Sequence, residues 1–273
     1  SSILLKRLDI CGKLPRMGDE APATHLTIEH GVATITLNRP KEKNSLSPEL
    51  VNSLGDSLKA CMANEEARVI VLTNSGGTFC AGANLKGAAS EAPRYTLPDI
   101  LKIMQEGPKV VLGKINGHCT GGGVGLAAAC DISVISSTSE VGFTEVRIGV
   151  SPAMISVVCL PKMRRADAAE LMLSGQKVPA DRAAEVGLLN YSVHPGQLSA
   201  KVADIAGKLV RGGPNALAAT KALVYKVPGM PLDDAFAWTA KVSAECFGSQ
   251  EARDGIAAFS KRVDAPWVPK PKL

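Results

Sequence analysis

Three consecutive glycines, Gly121, Gly122 and Gly123, stand immediately before a run of small apolar residues, and Glu145 follows beyond a β-branched segment. Glycine has no β-carbon, so its backbone N–H can come close to a ligand and the chain can adopt positive φ. The alanine- and leucine-rich run that follows favours a helix, and a helix N-terminus adds partial positive charge to its free amides. Amides so placed can hold an oxyanion. The glycines by themselves leave a second explanation open, tight packing of a helix on a strand with no chemistry. Another glycine-punctuated loop, Phe79-Cys80-Ala81-Gly82-Ala83-Asn84-Leu85, follows the apolar run at 68–73. Two loops, each after a strand, suit an anion hole with two converging donors, each worth about a hundred- to a thousandfold in rate.

The elements that must position these loops are legible from periodicity and punctuation. Residues 25–37 read as two short strands around His30-Gly31, with Leu26, Ile28, Val32, Ile35 and Leu37 apolar. His25 and His30 read as surface residues of those strands. Ser47 is a good N-cap and Pro48 a good first helical residue. The helix from Pro48 to about Met62 aligns Leu50, Val51, Leu54, Leu58 and Met62 on one face. The continuous apolar run at 68–73 predicts a buried strand. Helices are predicted over 163–173, 179–186, 198–210 and 215–226, with a short strand over 188–193. A long helical tract over 232–262 is punctuated at Gly248. Strand and helix therefore alternate up to about residue 195, and helix dominates beyond it. The proline-broken end, from Asp264 on, is expected to fray.

Composition narrows the classes. A chain of 273 residues can bury a substantial core. Its net charge of +5 comes without an Arg/Lys stripe interleaved with aromatics, which argues against nucleic acid and allows a small polyanionic ligand. Cys11, Cys61, Cys80, Cys119, Cys130, Cys159 and Cys246 include no CxxC pair and read as reduced packing residues of an intracellular protein. No apolar run is long enough for a membrane span. The first residues lack a secretory pattern and read as a surface extension, with an organelle transit peptide the weaker reading. The expected location is the cytoplasm, or the mitochondrial matrix in a eukaryote. A nicotinamide-binding GxGxxG reading fails, because Leu126 takes the last glycine place when Gly121 is first.

FCAGANL, NGHCTGGGVGLAAACDI and FTEVRIGVSP, in that order, resemble the successive signatures of the crotonase, or enoyl-CoA hydratase/isomerase, superfamily. The likeness runs from about Thr24 to about Arg262, with NRP and NSL near its start and AAFSKR near its end. It implies an α/β fold, a crotonase-like spiral of ββα units with a C-terminal helical trimerisation region. The implied division is an N-terminal extension at 1–22, a spiral core at 23–195 and a helical region at 196–273. It also implies a homotrimer or a pair of trimers.

The resemblance assigns roles residue by residue. The backbone N–H groups of Ala83 and Gly122 would hold a thioester carbonyl, and Glu145 would be the general acid/base. Its competing reading is an exposed strand-end carboxylate paired with Arg147. Relatives that add water carry a second glutamate at the position of Gly125, so this chain keeps one carboxylate of two. The substitutes to consider are Glu91, Asp99 or Glu106, a carboxylate of the substrate, or Glu145 acting alone. Lys43, Ala81, Ala83, Phe259, Lys261 and Arg262 are the implied coenzyme A contacts, against ordinary surface exposure for the charged ones. His118 is read as loop packing rather than a base, Asp131 as ordering the end of its helix by local hydrogen bonds, and Cys119 and Cys130 as packing. Asn84 departs from the aspartate usual at its position. SPAMIS, at 151–156, departs from a glycine-rich segment and points towards the branch near methylglutaconyl-CoA hydratases. The expected function is hydration of a 2-enoyl-CoA, the acyl chain branched or carboxylated, with no permanent cofactor and no metal. The alternatives are a double-bond isomerase using Glu145 alone and a non-catalytic acyl-CoA binding protein.

Overall fold

In the computed structural model, which describes residues 21–85 and 92–269, the chain begins with a hairpin of β1 (Thr24–Glu29) and β2 (Val32–Leu37). Both turn residues, His30 and Gly31, have positive φ (49° and 80°), the twist that two-residue hairpin turns need. Helix α1 (Pro48–Ala63) starts where expected, the Ser47 side chain accepting from the Leu50 N–H. β3 (Val69–Asn74), β4 (Thr78–Cys80), α2 (Leu97–Glu106), β5 (Val110–Ile115) and β6 (His118–Thr120) follow. Next come α3 (Gly122–Ala129), β7 (Ile132–Ser136), β8 (Glu140–Gly142), α4 (Ala153–Cys159) and α5 (Arg165–Ser174). β9 (Lys177–Pro179), α6 (Ala180–Glu185) and β10 (Tyr191–Val193) precede four helices, α7 (Leu198–Leu209), α8 (Pro214–Lys226), α9 (Leu232–Gly248) and α10 (Gln250–Lys261).

Two sheets organise these elements. The larger has the order β1-β2-β3-β5-β7-β10, parallel apart from the first hairpin. All six residues of β3 are buried, as a strand covered on both faces requires. On one face, Val69, Val71, Leu112 and Val134 pack against Leu198, Val202, Ile205 and Ala206 of α7. On the other, Ile35, Ile70, Leu72 and Val111 join Leu50, Leu54 and Leu58 of α1 and the apolar residues of α3. The smaller sheet has the order β4-β6-β8-β9, its first three strands parallel. This is the mixed α/β architecture expected, with a helical C-terminal part.

Several expectations need correction. The strand expected over 188–193 is confined to β10, because Leu188 and Leu189 are buried in the turn that follows α6. The segment before Pro108, for which no element was predicted, holds α2 behind a capping box: Thr96 accepts from the Asp99 N–H while Asp99 accepts from the Thr96 N–H. The long C-terminal tract breaks at Ser249, whose side chain accepts from the Ala252 N–H and starts α10. The end of the chain is not frayed through Pro269. Arg68 donates to the Trp267 carbonyl (2.7 Å), the Trp267 indole N–H donates to the Arg211 carbonyl (3.0 Å), and Asp264 pairs with Arg211.

Asp131 also departs from expectation, since its partners are distant in sequence. It accepts from the Val111 N–H (2.7 Å) and the Tyr225 hydroxyl (2.8 Å) and pairs with Lys221 at 2.9 Å. Lys221, almost wholly buried, also donates to the Lys109 carbonyl (2.8 Å). α8 is thereby pinned to β5 and to the turn that follows α3. Burial and the Asp131 carboxylate raise the Tyr225 hydroxyl pKa. Lys221→Met leaves that carboxylate buried with its cation gone. The expected cost is about 3 kcal/mol in chemical denaturation, against about 1 kcal/mol for Tyr225→Phe, which removes a single hydrogen bond.

Candidate active site

Three parallel strands of the smaller sheet end side by side, and the three candidate groups follow those ends. β4 leads into Ala81, Gly82 and Ala83, β6 into Gly121 and Gly122, and β8 into Phe143, Thr144 and Glu145. The register pairs Cys80 with Cys119 and Thr120 with Gly142, so the exits are level. The Gly121 N–H continues the pairing by donating to the Gly142 carbonyl (3.1 Å). The carboxyl ends of parallel strands are a common location for ligand sites in α/β sheets.

The two glycine turns touch. Gly82 has φ +82°, and a β-carbon on it would stand 2.8 Å from the Thr120 carbonyl oxygen and 3.1 Å from the Gly122 nitrogen. Gly123 lies against β4, where a β-carbon would come within 2.1 Å of the Cys80 carbonyl oxygen. Helix α3 therefore starts on top of the end of β4, as the glycine run requires. Leu46 fastens the first turn by donating to the Gly82 carbonyl (2.7 Å), and Thr120 ties the turns together, its hydroxyl donating to the Ala81 carbonyl (3.1 Å). Neither the Ala83 N–H nor the Gly122 N–H has an acceptor among the described residues.

Glu145 completes the group. It lies in the first turn of a short 3₁₀ helix, Thr144–Ile148, closed by Gly149 in the left-handed region. The Val150 N–H donates to the Glu145 carbonyl (3.2 Å) and fixes the turn. The side chain reaches back over the glycines: a β-carbon on Gly121 would be 3.4 Å from Glu145 Oε1. Oε2 is buried with no hydrogen-bond partner. Burial raises the carboxyl pKa above its ordinary value, and its own backbone N–H draws it partly back. A half-buried carboxylate with one free oxygen beside unpaired amides suits proton transfer next to a polarised carbonyl. The pairing with Arg147 does not occur, because Arg147 donates to the Gly175 carbonyl (2.8 Å) beyond the end of α5.

The other candidates separate clearly. Lys43 and Ala81 are joined through their backbones, the Ala81 N–H donating to the Lys43 carbonyl (3.0 Å), and the Lys43 side chain is exposed. Phe259 and Lys261 lie on α10 and Arg262 caps its end; all three are exposed. Asp99 is committed to the cap of α2 and Glu106 pairs with Lys102, both exposed. Glu91 lies outside the described residues. His118 is held as loop packing, its Nδ1 accepting from the Glu140 N–H (3.0 Å). Cys80, Cys119, Cys130 and Cys159 are buried, and burial pushes the Cys80, Cys130 and Cys159 thiols up to about 12. Cys11 lies outside the described residues.

Gly125 is walled off. A β-carbon there would stand 2.3 Å from Ile155 Cγ2, so α4 occupies the space in front of it. Among the described residues, no group of three or more His, Cys, Asp or Glu could hold a metal ion, and no helix is long and apolar enough to cross a membrane.

Sequence reasoning passed over the residues that hold the turns in place. Buried Asn44 accepts from the Arg39 N–H and donates to the carbonyls of Ser75 and Thr78. Asn74 links the Asn116 backbone to the Thr78 carbonyl. Asn52 grips residues 92–95, which precede α2 and set Leu97 against Gly122. The asparagines were visible in the turn segments NRPKEKNS and NSGG, but their distant partners were not.

The comparisons with known proteins give the family and the fold. The family model described as enoyl-CoA hydratase/isomerase matches residues 27–270. A putative enoyl-CoA hydratase of Thermus thermophilus is 33% identical over 246 residues, covering 86% of this chain and 97% of its own. A crotonyl-CoA hydratase of Syntrophomonas wolfei is 28% identical over 250 residues, covering 89% and 96%. The crystal structure of an enoyl-CoA hydratase from Mycobacterium smegmatis aligns with a TM-score of 0.83 at 28% identity, covering 90% of this chain and 99% of that one.

The raised pKa of Glu145 makes a stability prediction. Its protonated form is favoured in the folded state, so the stabilisation it gives is complete below its unfolded pKa and is lost as pH rises through the folded value. Glu145→Gln removes that loss. The Tm of the variant relative to the parent is expected to increase as pH rises from the ordinary 4.5 through the raised folded pKa, read by thermal denaturation as a function of pH.

Proposed function

Since this chain belongs to the enoyl-CoA hydratase/isomerase family, we propose that it hydrates a 2-enoyl-CoA thioester, using Glu145 as its proton-transfer group. The observation that carries the proposal is the convergence of the Ala83 turn, the Gly122 turn and the buried free oxygen of Glu145 on one end of one sheet. In this reading the thioester oxygen accepts from the Ala83 and Gly122 N–H groups. That draws electron density from the double bond and opens the β-carbon to water. Glu145 takes a proton from that water and returns one to the α-carbon. The amides are fixed before substrate arrives, so they stabilise the developing enolate without reorganising.

Leu46 and Leu97 flank Gly122, and Ile155 faces Gly125. These walls suit a hydrocarbon acyl chain better than a carboxylated one. The exposed cations Lys43, Lys261 and Arg262, with Phe259, are the proposed contacts for the coenzyme A moiety, its phosphates being the natural partners of the charges. Exposed apolar side chains on the C-terminal helices, among them Leu232, Phe236 and Phe247, support burial between copies in a homotrimer or a pair of trimers.

A second reading, migration of the double bond with Glu145 removing and returning one proton, is favoured by the apolar wall at Gly125. Hydration incorporates solvent oxygen and migration does not. Incubating 2-enoyl- and 3-enoyl-CoA substrates in ¹⁸O-labelled water and weighing the products distinguishes them: labelled 3-hydroxyacyl-CoA supports the first, unlabelled isomer alone the second. Glu145→Gln is expected to lower kcat by about 10²- to 10⁴-fold while thioester binding persists. Unchanged turnover would remove Glu145 from the reaction.

The base works deprotonated, so kcat/KM is expected to climb with pH through the pKa of Glu145. Burial places that acid limb above the ordinary 4.5, and the limb is expected to vanish from the residual activity of Glu145→Gln.

A further inference from the structure

Gly121 and Gly125 lie one helical turn apart, the Gly125 N–H donating to the Gly121 carbonyl at 3.4 Å. Gly121 is the N-cap of α3 and Gly125 lies in its first turn. The carboxylate of Glu145 stands over Gly121 and Ile155 stands against Gly125, the first half-buried and the second 2% exposed. α4 continues the wall with buried Val158 and Cys159, and Glu145 is among the groups that raise the Cys159 thiol. The wall that α4 sets beside the start of α3 is therefore hydrocarbon and thiol, with Ile155 against Gly125.

The contact is also exclusive. With Ile155 Cγ2 at 2.3 Å and Cβ at 2.9 Å from the place of a β-carbon, no side chain fits at Gly125 unless Ile155 or α4 moves. A well-packed core resists such additions. Ile155 thus does two things at once: it lines the wall beside the start of α3 and bars a second proton-carrying group from position 125.

We infer that Ile155 is a specificity-determining residue of this site, setting through its contact with Gly125 how Glu145 divides its proton between water and the acyl chain. The inference rests on the proposed acyl-CoA reading and deepens it. A dry wall beside one carboxylate favours return of the same proton to another carbon, while a polar group or an opened space there favours an ordered water.

The test measures the ratio of hydration to double-bond migration, from the ¹⁸O product analysis, in the full chain. Ile155→Ala is expected to raise that ratio at least about fivefold. Ile155→Val keeps both γ carbons, hence the contact, and is expected to keep the parent ratio. Gly125→Glu alone is expected to lose Tm because its side chain meets Ile155. Gly125→Glu combined with Ile155→Ala is expected to recover much of that loss relative to the sum of the single variants and to give the highest ratio. A thermodynamic cycle with Gly125→Ala reads the same contact when the larger change fails to fold, and positions in contact should be coupled.

The inference is overturned if Gly125→Glu or Gly125→Ala melts with the parent, since Ile155 then bars nothing. It is equally overturned if folded Ile155→Ala, or the folded double variant, partitions as the parent does. These outcomes are separate from failure of the underlying reading, in which Glu145→Gln would leave turnover of both kinds untouched.

Discussion

The site depends on one contact, the backbone of Gly82 lying against the backbone from Thr120 to Gly122. At 2.8–3.1 Å from where a β-carbon would be, the two turns leave no room for any side chain between them. Two unpaired amides from loops far apart in sequence can act on one oxygen only if the loops come this close. The approach is produced by strand pairing, because β4, β6 and β8 run parallel and end level. The smaller sheet in turn is hung from the larger by side chains at their junction. Asn74 at the end of β3 and Asn44 in the preceding loop both donate to the Thr78 carbonyl at the start of β4. Polar side chains buried at a junction are stabilising only when fully partnered, and these two asparagines each bond at both ends of the amide.

Glu145 shows what such a frame permits. Its buried Oε2 has no partner, a condition that folding alone would not favour. The backbone around it is held independently of the side chain, by Gly149 and Val150 on the chain side and by Arg147 reaching the Gly175 carbonyl. A carboxylate whose placement does not depend on its own hydrogen bonds keeps an oxygen free for another molecule. The same burial raises its pKa, so geometry and proton affinity have one cause, the closeness of the α3–α4 seam.

Much of this was legible in the sequence. Amphipathic spacing located α1, glycine and proline breaks bounded α7, an all-apolar run located β3, and Ser47-Pro48 located a helix start, because each signal is local. The glycine turns and Glu145 were legible as a set through ordered motifs. What was not legible were interactions between segments distant in sequence. Asp131 looked like a local capping residue, yet its partners are Val111, Tyr225 and Lys221. The tail beyond Asp264 looked broken by proline, yet Trp267 is clasped by Arg68 and Arg211. Neither period nor propensity carries information about such partners.

Glycine makes the same point within the site itself. At Gly82 the residue is required by positive φ and by the approach of the neighbouring turn, and at Gly121 by positive φ. At Gly123 φ is ordinary and the requirement is the Cys80 carbonyl beneath it, while at Gly125 it is the Ile155 side chain in front. One letter thus stands for three physical constraints: backbone conformation, helix-on-strand packing and exclusion of a side chain. Only the first two bring the Ala83 and Gly122 turns together. The third shapes what Glu145 faces, and it follows from α4, whose Ile155 lies thirty residues further on. The chemistry available to the carboxylate is therefore a property of the α3–α4 seam as much as of the glutamate.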